Sequence, residues 1–495
     1  MTISKMYGTA VDKDSYMPET VHYTENSRPF RRELVPELIY DANPALVDFY
    51  YLAWKQAWEH IYETESLPFS PYIGEGCKRD RIWIWDSCLM GMFCRYAADV
   101  YPVCSTLDNL YALRDGRSGY PINIHHLDNP PLFAWTELLL YRQTGDEARL
   151  KKILPVLISH YNWLENLDPD RMPYQAERPV WRRERDGYCW AGCPSGMDNT
   201  PRGRGRYDAI HWVDAPAQQA LSARCIAEIG AIAGDRAAME HFEREYAEKT
   251  ALLAKYFDPE TGCFLDRYRD GSGFCRVLTP ASFWALAAHC ATREQAESQI
   301  RSLLDPRKLG GDFPFASVAH DDPDFRPEGA YWRGGIWLPV AYMSVKACEE
   351  YGRFELAAEL AKRLVEMMER TFREFSPHTI WECYSPTAYR PSTNKVNELV
   401  RQDFCGWSAL GPIALMIENV VGLVRMDAAE QRIEWLPGGS GRMGMKNLPL
   451  GGNRISLVLE NDRISVDCIQ PFRLIFRGRE LACPAGRSVI EILLG

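Results

Sequence analysis

VDAPAQQALSARCIAEIGAIAG, residues 213–234, is small or apolar nearly all round a helical turn, and DRAAMEHFEREYAEKTALLAKYF, residues 235–257, follows at once with a charged face. A helix that is apolar on every side must be covered on every side, whereas an amphipathic one lies at a surface. The pair therefore reads as one buried helix and one outer helix joined by the short turn Gly234-Asp235. The same alternation runs through the chain. Period-3.6 patterning predicts helices near 45–64, 86–98, 101–114, 130–143, 147–165, 213–233, 236–256, 280–290, 293–304, 336–351, 354–374 and 403–421. The second, fourth, sixth, eighth, tenth and twelfth are apolar nearly all round, as in DSCLMGMFCRYA, PPLFAWTELLLY and PASFWALAAHCA, and the others carry charge. Six inner helices alternating with six outer ones predict a mainly α chain folded as an (α/α)6 barrel.

Turns from inner to outer helices are short, and the loops leading into inner helices are long and rich in Trp, Gly, Asp and Arg. Since the inner helices run the same way, those loops gather at one mouth, where function is expected. After about residue 424 the period changes to two: Ile455, Leu457 and Leu459 alternate with polar residues, Asn461-Asp462 turns, and Ile464, Val466 and Cys468 alternate again. The expected organisation is an N-terminal arm over 1–44, the helical barrel over 45–424 and a small antiparallel β domain over 425–495.

Composition narrows the function. The 495 residues include 46% hydrophobic and 25% charged residues, which suits a globular chain with an ample core. The net charge of -10 and the lack of a Lys/Arg run argue against a nucleic-acid partner. There is no long uncharged apolar run and no apolar leader within MTISKMYGTAVDKDS, so neither a membrane span nor a secretory signal is expected. The 15 cysteines form no tandem Cys-x-x-Cys pairs; Cys189 and Cys193 come closest, without a nearby His/Cys pair, so no metal site and no cofactor is expected. Thiols of this kind suit a reducing cytoplasm. The 15 Trp and 25 Tyr are the informative excess. They fit a large aromatic core, and they equally fit a carbohydrate site, where aromatic rings stack on the apolar faces of sugars.

Two carboxylates stand out in the mouth loops. Asp198 lies in SGMDNTPRG, residues 195–203, preceded by Trp190 and followed by Arg202; Glu382 lies in TIWECYSP, residues 379–386, between Trp381 and Cys383-Tyr384. Each has a plainer alternative, an Asx-turn for the first and a paired structural acid for the second. Together they match glycoside hydrolysis, in which one acid protonates the leaving oxygen and one carboxylate activates water, at a separation of about 6.5–9.5 Å when the configuration inverts. Trp83, Trp85 and Asp86 in RIWIWDS open the first inner helix, where Asp86 reads as an N-cap, a role compatible with a second one as acceptor of a sugar hydroxyl. Trp332 and Arg333 stand in YWRGGIW; Arg333 either serves the site or pairs with Glu328. Asn129 precedes Pro130-Pro131 at the second inner helix, and His125-His126 beside it reads as incidental.

WDS at 85–87, NPP at 129–131, SGMDNTPR at 195–202, YWRGGIW at 331–337, WECYSP at 381–386 and DFCGWSALGPIALMIE at 403–418 resemble glycoside hydrolase family 63, closest to its bacterial branch of mannosylglycerate and glucosylglycerate hydrolases. The resemblance covers roughly residues 45–421. It implies the same barrel and an inverting α-glycosidase without a redox cofactor. It places the general acid on Asp198, the general base on Glu382, and sugar contacts on Trp85, Asp86, Trp332 and Trp381. Gly335, Cys383 and Asn129 depart from the family's usual Pro, Asn and Gln. The expectation is an exo-acting hydrolase of a small α-glycoside, with a small carbohydrate as its partner and no oligomeric state assigned. Trp83, Asn129, Trp190, Arg202, Arg333 and Tyr384 complete the expected substrate-binding set. A glycoside phosphorylase, a sugar epimerase on the same barrel, and a non-catalytic carbohydrate-binding protein are the alternatives; retention of both acids favours the hydrolase.

Overall fold

A computed structural model describes residues 21–76, 80–114, 119–168, 170 and 178–492. The first 20 residues of the expected N-terminal arm lie outside that set. Eleven α-helices follow in order: α1 Pro44–Glu59, α2 Ile84–Cys94, α3 Val103–Leu113, α4 Phe133–Thr144, α5 Glu147–Glu165, α6 Asp214–Ala233, α7 Arg236–Leu253, α8 Trp284–Ala287, α9 Arg293–Ile300, α10 Leu338–Glu350 and α11 Phe354–Glu374. A last helix, Gly411–Val420, is wound in π fashion, and the N–H of Val421 accordingly reaches the Met416 carbonyl.

Local chemistry sets the ends. Asp146 caps α5 by accepting from the Arg149 N–H, Asp235 caps α7 by accepting from the Ala238 N–H, and Thr292 with Gln295 forms a capping box on α9. Gly145 after α4 and Gly234 after α6 take the left-handed conformation (φ 69 and 77) that lets the chain turn into the next helix. Pro280, Pro339 and Pro412 stand in first turns, where their missing N–H costs nothing.

Burial follows the alternation in the sequence. All 11 residues of α2 and all 10 of Gly411–Val420 are buried, whereas α7 buries only Ala238, Phe242, Lys249 and Leu253. Along the inner set α2 packs on α4, α4 on α6, α6 on α8 and α8 on α10, and both α10 and α2 meet the last helix. Among the described residues no helix is long and apolar enough to cross a membrane.

The strands after Val420 form two sheets. One has the order Glu37–Tyr40, Met443–Leu450, Asn453–Glu460, Arg463–Cys468, Gly486–Glu491 and is antiparallel throughout. Asn461 and Asp462, both at positive φ, make its two-residue hairpin turn, and Ile464, Val466 and Cys468 face inward as their spacing predicts. The other has the order Leu423–Asp427, Arg432–Trp435, Phe472–Phe476, Arg479–Cys483. Here the expectation of an antiparallel β region needs correction: Arg432–Trp435 and Phe472–Phe476 pair in parallel. The chain leaves after Trp435, builds the hairpins of the first sheet and returns alongside, so no tight turn joins the two strands. The edge strand Glu37–Tyr40 comes from the segment read as an arm, and Lys446 pairs with Glu37 beside it at 2.6 Å.

Candidate active site

The loop carrying Asp198 is folded by its own small residues and fastened on three sides. Ser195 Oγ donates to the Gly192 carbonyl at 2.7 Å and accepts from the Met197 N–H. A Cβ on Gly192 would press on the backbone oxygen of Asp198, so only glycine lets the two turns lie together. Asn199 Nδ2 donates to the Ala330 carbonyl at 3.0 Å and its Oδ1 accepts from the Trp332 N–H at 2.8 Å, which staples this loop to Ala330–Trp332. Asn129 makes the third fastening: its Oδ1 accepts from the Trp85 N–H at 3.3 Å and its Nδ2 donates to the Pro194 carbonyl at 2.7 Å.

Glu382 is held as tightly. Its N–H donates to the Arg401 carbonyl, and its own carbonyl accepts from Trp407 Nε1 at 2.8 Å and from Ser408 Oγ at 3.3 Å. The carboxylate accepts three bonds: on Oε1 from the Tyr331 hydroxyl at 2.8 Å and from Arg401 Nη1 at 3.3 Å, and on Oε2 from the Arg401 N–H at 3.3 Å. Asp198 Oδ2 accepts from Lys395 Nζ at 2.7 Å, and that ammonium lies 5.1 Å from the centroid of the Tyr331 ring. Tyr331 thus meets Glu382 directly and Asp198 by way of Lys395. Burial first, and then the Glu382 charge, push its hydroxyl well above the usual phenol range.

Other expected residues reach the same region. Asp86 is buried, and its carboxyl is pushed well above the usual range by burial first and then by the Glu75 carboxylate; Glu382 adds to that push and Arg401 opposes it. It is not the N-cap of its helix: Trp83 occupies that position and Asp86 lies in the first turn. Trp85 lies under Gly196 of the Asp198 loop, 3.2 Å from where a Cβ would stand, and edge-on to Trp284. Trp332 stacks on Trp337 at 4.2 Å and 7°. Trp381 packs edge-on to Phe375, and the Tyr384 hydroxyl accepts from the Trp381 N–H at 3.3 Å. Trp83 is half-buried against His125.

Two expectations for the substrate-binding set are corrected. Arg202 is sealed inside the protein: it donates to Asp214 at 2.7 and 2.8 Å and to Asp266 at 2.5 and 2.8 Å, with its guanidinium 4.1 Å over Trp212. All of its charge is used there, and no face is left for a sugar. Trp190 is wholly buried, with its ring against Trp181 and Trp212 and its Nε1 donating to the Asp128 carbonyl, so it is core. For Arg333 only the plainer alternative is corrected: it pairs with Asp324 at 2.8 Å and not with Glu328, and its side chain stays 34% exposed.

Tyr331, Lys395, Arg401, Asn199 and Glu75 were not singled out from the sequence. Tyr331 begins the YWRGGIW stretch, and Lys395 and Arg401 lie in the same long loop as Glu382, so position alone marked them. Away from this region, Glu184, Cys189 and His211 bring ligand atoms within 4.8 Å of one another. Arg182 and Arg269 already occupy that carboxylate at 2.5 and 2.7 Å, which leaves a cation little to bind.

The chain is similar to known glycoside hydrolases. The family model described as the mannosylglycerate hydrolase MGH1-like glycoside hydrolase domain matches residues 111–395. An uncharacterized protein of Borreliella burgdorferi is 24% identical over 406 residues, covering 78% of this chain and 81% of that protein. The mannosyl-oligosaccharide glucosidase of Saccharomyces cerevisiae is 25% identical over 310 residues, which is 55% of this chain and 35% of that enzyme. Among solved structures, the GH63 mannosylglycerate hydrolase from Thermus thermophilus in complex with glucose superposes with a TM-score of 0.56 at 18% identity, covering 73% of this chain and 98% of that one. A sialidase superposes with a TM-score of 0.71 at 15% identity, covering 93% of this chain and 42% of that one. By the extent of the family match, the chain belongs to the mannosylglycerate hydrolase MGH1-like glycoside hydrolases of family 63 and is a glycoside hydrolase.

Proposed function

We propose that the protein is an inverting, exo-acting hydrolase of small α-glycosides, with Asp198 as general acid and Glu382 as general base. The observation that carries this reading is the linkage of the two acids through Tyr331, which bonds Glu382 and has the Lys395 ammonium that pairs with Asp198 over its ring, while Arg401 pairs with Glu382. In the reaction, Glu382 takes a proton from a water whose oxygen bonds to the anomeric carbon. The bond to the glycosidic oxygen breaks, and that oxygen takes a proton from Asp198. One water is consumed, and the sugar leaves with inverted configuration. Trp85, Asp86, Trp332, Trp381 and Tyr384 are assigned to the walls around the sugar, with Asn129 fixing the wall to the acid loop. The chain of contacts from α2 through α4, α6, α8 and α10 to the last helix supports closure of the six inner helices into an (α/α)6 barrel over about 45–424, with the β region over 425–495 attached. The names of the mannosylglycerate hydrolase and the mannosyl-oligosaccharide glucosidase support an α-linked mannosyl or glucosyl substrate. Cysteine usage supports a cytoplasmic setting, and the reading requires no cofactor.

The two roles separate by leaving group. Asp198→Asn should lose about 10²- to 10⁴-fold in kcat/KM on an α-linked disaccharide and far less on the matching α-glycosyl fluoride, whose departure needs no proton. Glu382→Gln should lose alike on both. Equal losses for Asp198→Asn, with the fluoride rescued in Glu382→Gln, would reverse the roles. Proton NMR in the first minutes of turnover should show the β-anomer, and initial release of the α-anomer would overturn inversion.

A further inference from the structure

One turn of chain reaches both carboxylates. Asn394 Oδ1 accepts from the Val396 N–H at 2.9 Å and the Glu398 N–H at 3.0 Å, Asn397 sits at φ 63, and Thr393 bridges to Leu399, so Lys395 is held out at the tip of a tight loop. From there its ammonium meets Asp198 Oδ2, and six residues on Arg401 meets Glu382. Tyr331 is held as firmly. Its N–H donates to the Thr393 carbonyl at 2.7 Å, and its carbonyl accepts from Trp337 Nε1 at 3.1 Å. These bonds keep it at φ 68, a left-handed conformation that a large side chain rarely takes and that proteins tend to maintain at working sites.

We propose that Tyr331 and Lys395 are positioning residues that couple the two carboxylates, Tyr331 fixing the base through its hydroxyl and carrying on its ring the ammonium that orients the acid. The proposal rests on the assignment of Asp198 and Glu382 given above. An ionised carboxylate offers about four acceptor sites. Tyr331 and Arg401 occupy two on Glu382 Oε1 and one on Oε2, which leaves Oε2 as the oxygen that takes the water proton. Lys395 occupies Asp198 Oδ2, and Oδ1 carries no hydrogen bond among the described residues, which makes Oδ1 the atom that meets the glycosidic oxygen. The ring face of Tyr331 stabilises the ammonium as an aromatic face stabilises any nearby cation. The link therefore selects one oxygen of each acid for the reaction.

Leaving-group contrast tests this in the full chain, with the α-glucosyl or α-mannosyl fluoride that is turned over and its matching disaccharide. Tyr331→Phe keeps the ring and removes the hydroxyl. It should lower kcat by about 10- to 100-fold on both substrates alike, with KM changed less than about threefold. Lys395→Met should lose about 10-fold on the disaccharide and clearly less on the fluoride, and Lys395→Arg should recover most of that loss. Tyr331→Leu, which removes the ring as well, should show both defects, and adding Lys395→Met to it should cost little more. Circular dichroism and thermal unfolding establish that each variant is folded; if a Tyr331 variant does not fold, the Lys395 pair still decides. Equal losses on both substrates for Lys395→Met, full activity of Tyr331→Phe, or additive losses in the double variant would overturn the link. If Asp198→Asn and Glu382→Gln show their assigned contrast while these variants do not, the link alone fails. If that contrast is absent, the assignment of the acids fails first.

Discussion

Replacing Arg202 by Met should expose how the acid loop is anchored. The guanidinium donates four hydrogen bonds at 2.5 to 2.8 Å to Asp214 and Asp266. The side-chain exposures of the three partners are 1%, 1% and 2%. Met fills similar space and leaves two buried carboxylates without a counter-charge. Removing one partner of a buried ion pair costs about 3–5 kcal/mol. Unfolding entropy of about 2.1 cal/mol/K per residue over 495 residues gives about 1 kcal/mol per K, so the midpoint should fall by about 3–5 °C if the chain unfolds as one unit. The effect should depend on pH with a definite sign. Burial raises the Asp214 carboxyl and Arg202 is the main influence against it, so the variant holds that carboxyl higher still. A folded-state value above the unfolded one costs stability at higher pH; that cost shrinks as pH falls through the raised folded value and is gone below the unfolded value of about 4. The gap between wild type and variant in calorimetric midpoint should therefore be widest near pH 7 and narrow on acidification. Adding Asp214→Asn and Asp266→Asn should recover much of the loss, because neutral groups need no counter-charge. A midpoint within about 1 °C of wild type, or a gap that widens in acid, would refute the reasoning.

Gly192→Ala should lower kcat/KM by about 100-fold while the chain stays folded by circular dichroism, since the added Cβ presses on the backbone oxygens of Asp198 and Met197 and displaces Asp198, the proposed acid. Glu184→Gln probes a surface cluster: although burial opposes it, hydrogen bonds from His211, Arg182 and Arg269 bring the Glu184 carboxyl down to about 2. A depressed carboxyl stabilises the fold above its unfolded value, so the urea-midpoint difference should be full above about pH 4.5 and vanish as pH falls towards 2. Leu38→Ala, in the strand paired with Met443–Leu450, should cost about 2–4 kcal/mol by urea titration, which tests whether that early strand belongs to the late sheet.

The helices were legible because their signal is local and repeated. α2 and Gly411–Val420 are apolar on every side in sequence, and both are buried on every side in the fold. The strand Arg463–Cys468 was legible for the same reason, its inward residues alternating as written. The π winding of Gly411–Val420 was not, because it depends on how the helix meets its neighbours and not on apolar period. The two acids were legible as acids in aromatic loops. Their partners were not, because Lys395 lies 197 residues from Asp198 and Tyr331 lies 51 from Glu382. Arg202 misled for the same reason: beside Asp198 in sequence it looked available, yet Asp266, 64 residues on, and Asp214 claim it. Trp190 misled by type, since a tryptophan near an acid serves a core as readily as a sugar.

The pairs proposed for the active site differ from the buried charge clusters of this protein in the exposure of the partner. Every charged group around Arg202 is sealed, so the cluster gains nothing by changing its protonation and serves to fix the loop. The network of Arg95, Glu418 and Lys346 is closed in the same way, with side-chain exposures of 8%, 4% and 13%, and it joins α10 to the last helix. The two proposed catalytic acids differ. Glu382 is 2% exposed but its partner Arg401 is 45% exposed, and Asp198 and Lys395 are 23% and 25% exposed. A pair open to water on one side can exchange a partner for a substrate without stranding a buried charge, whereas a closed pair cannot do so without the full cost of desolvation. The acid-base work proposed for Asp198 and Glu382, with water as reactant, needs the open kind, and both of their pairs are of that kind.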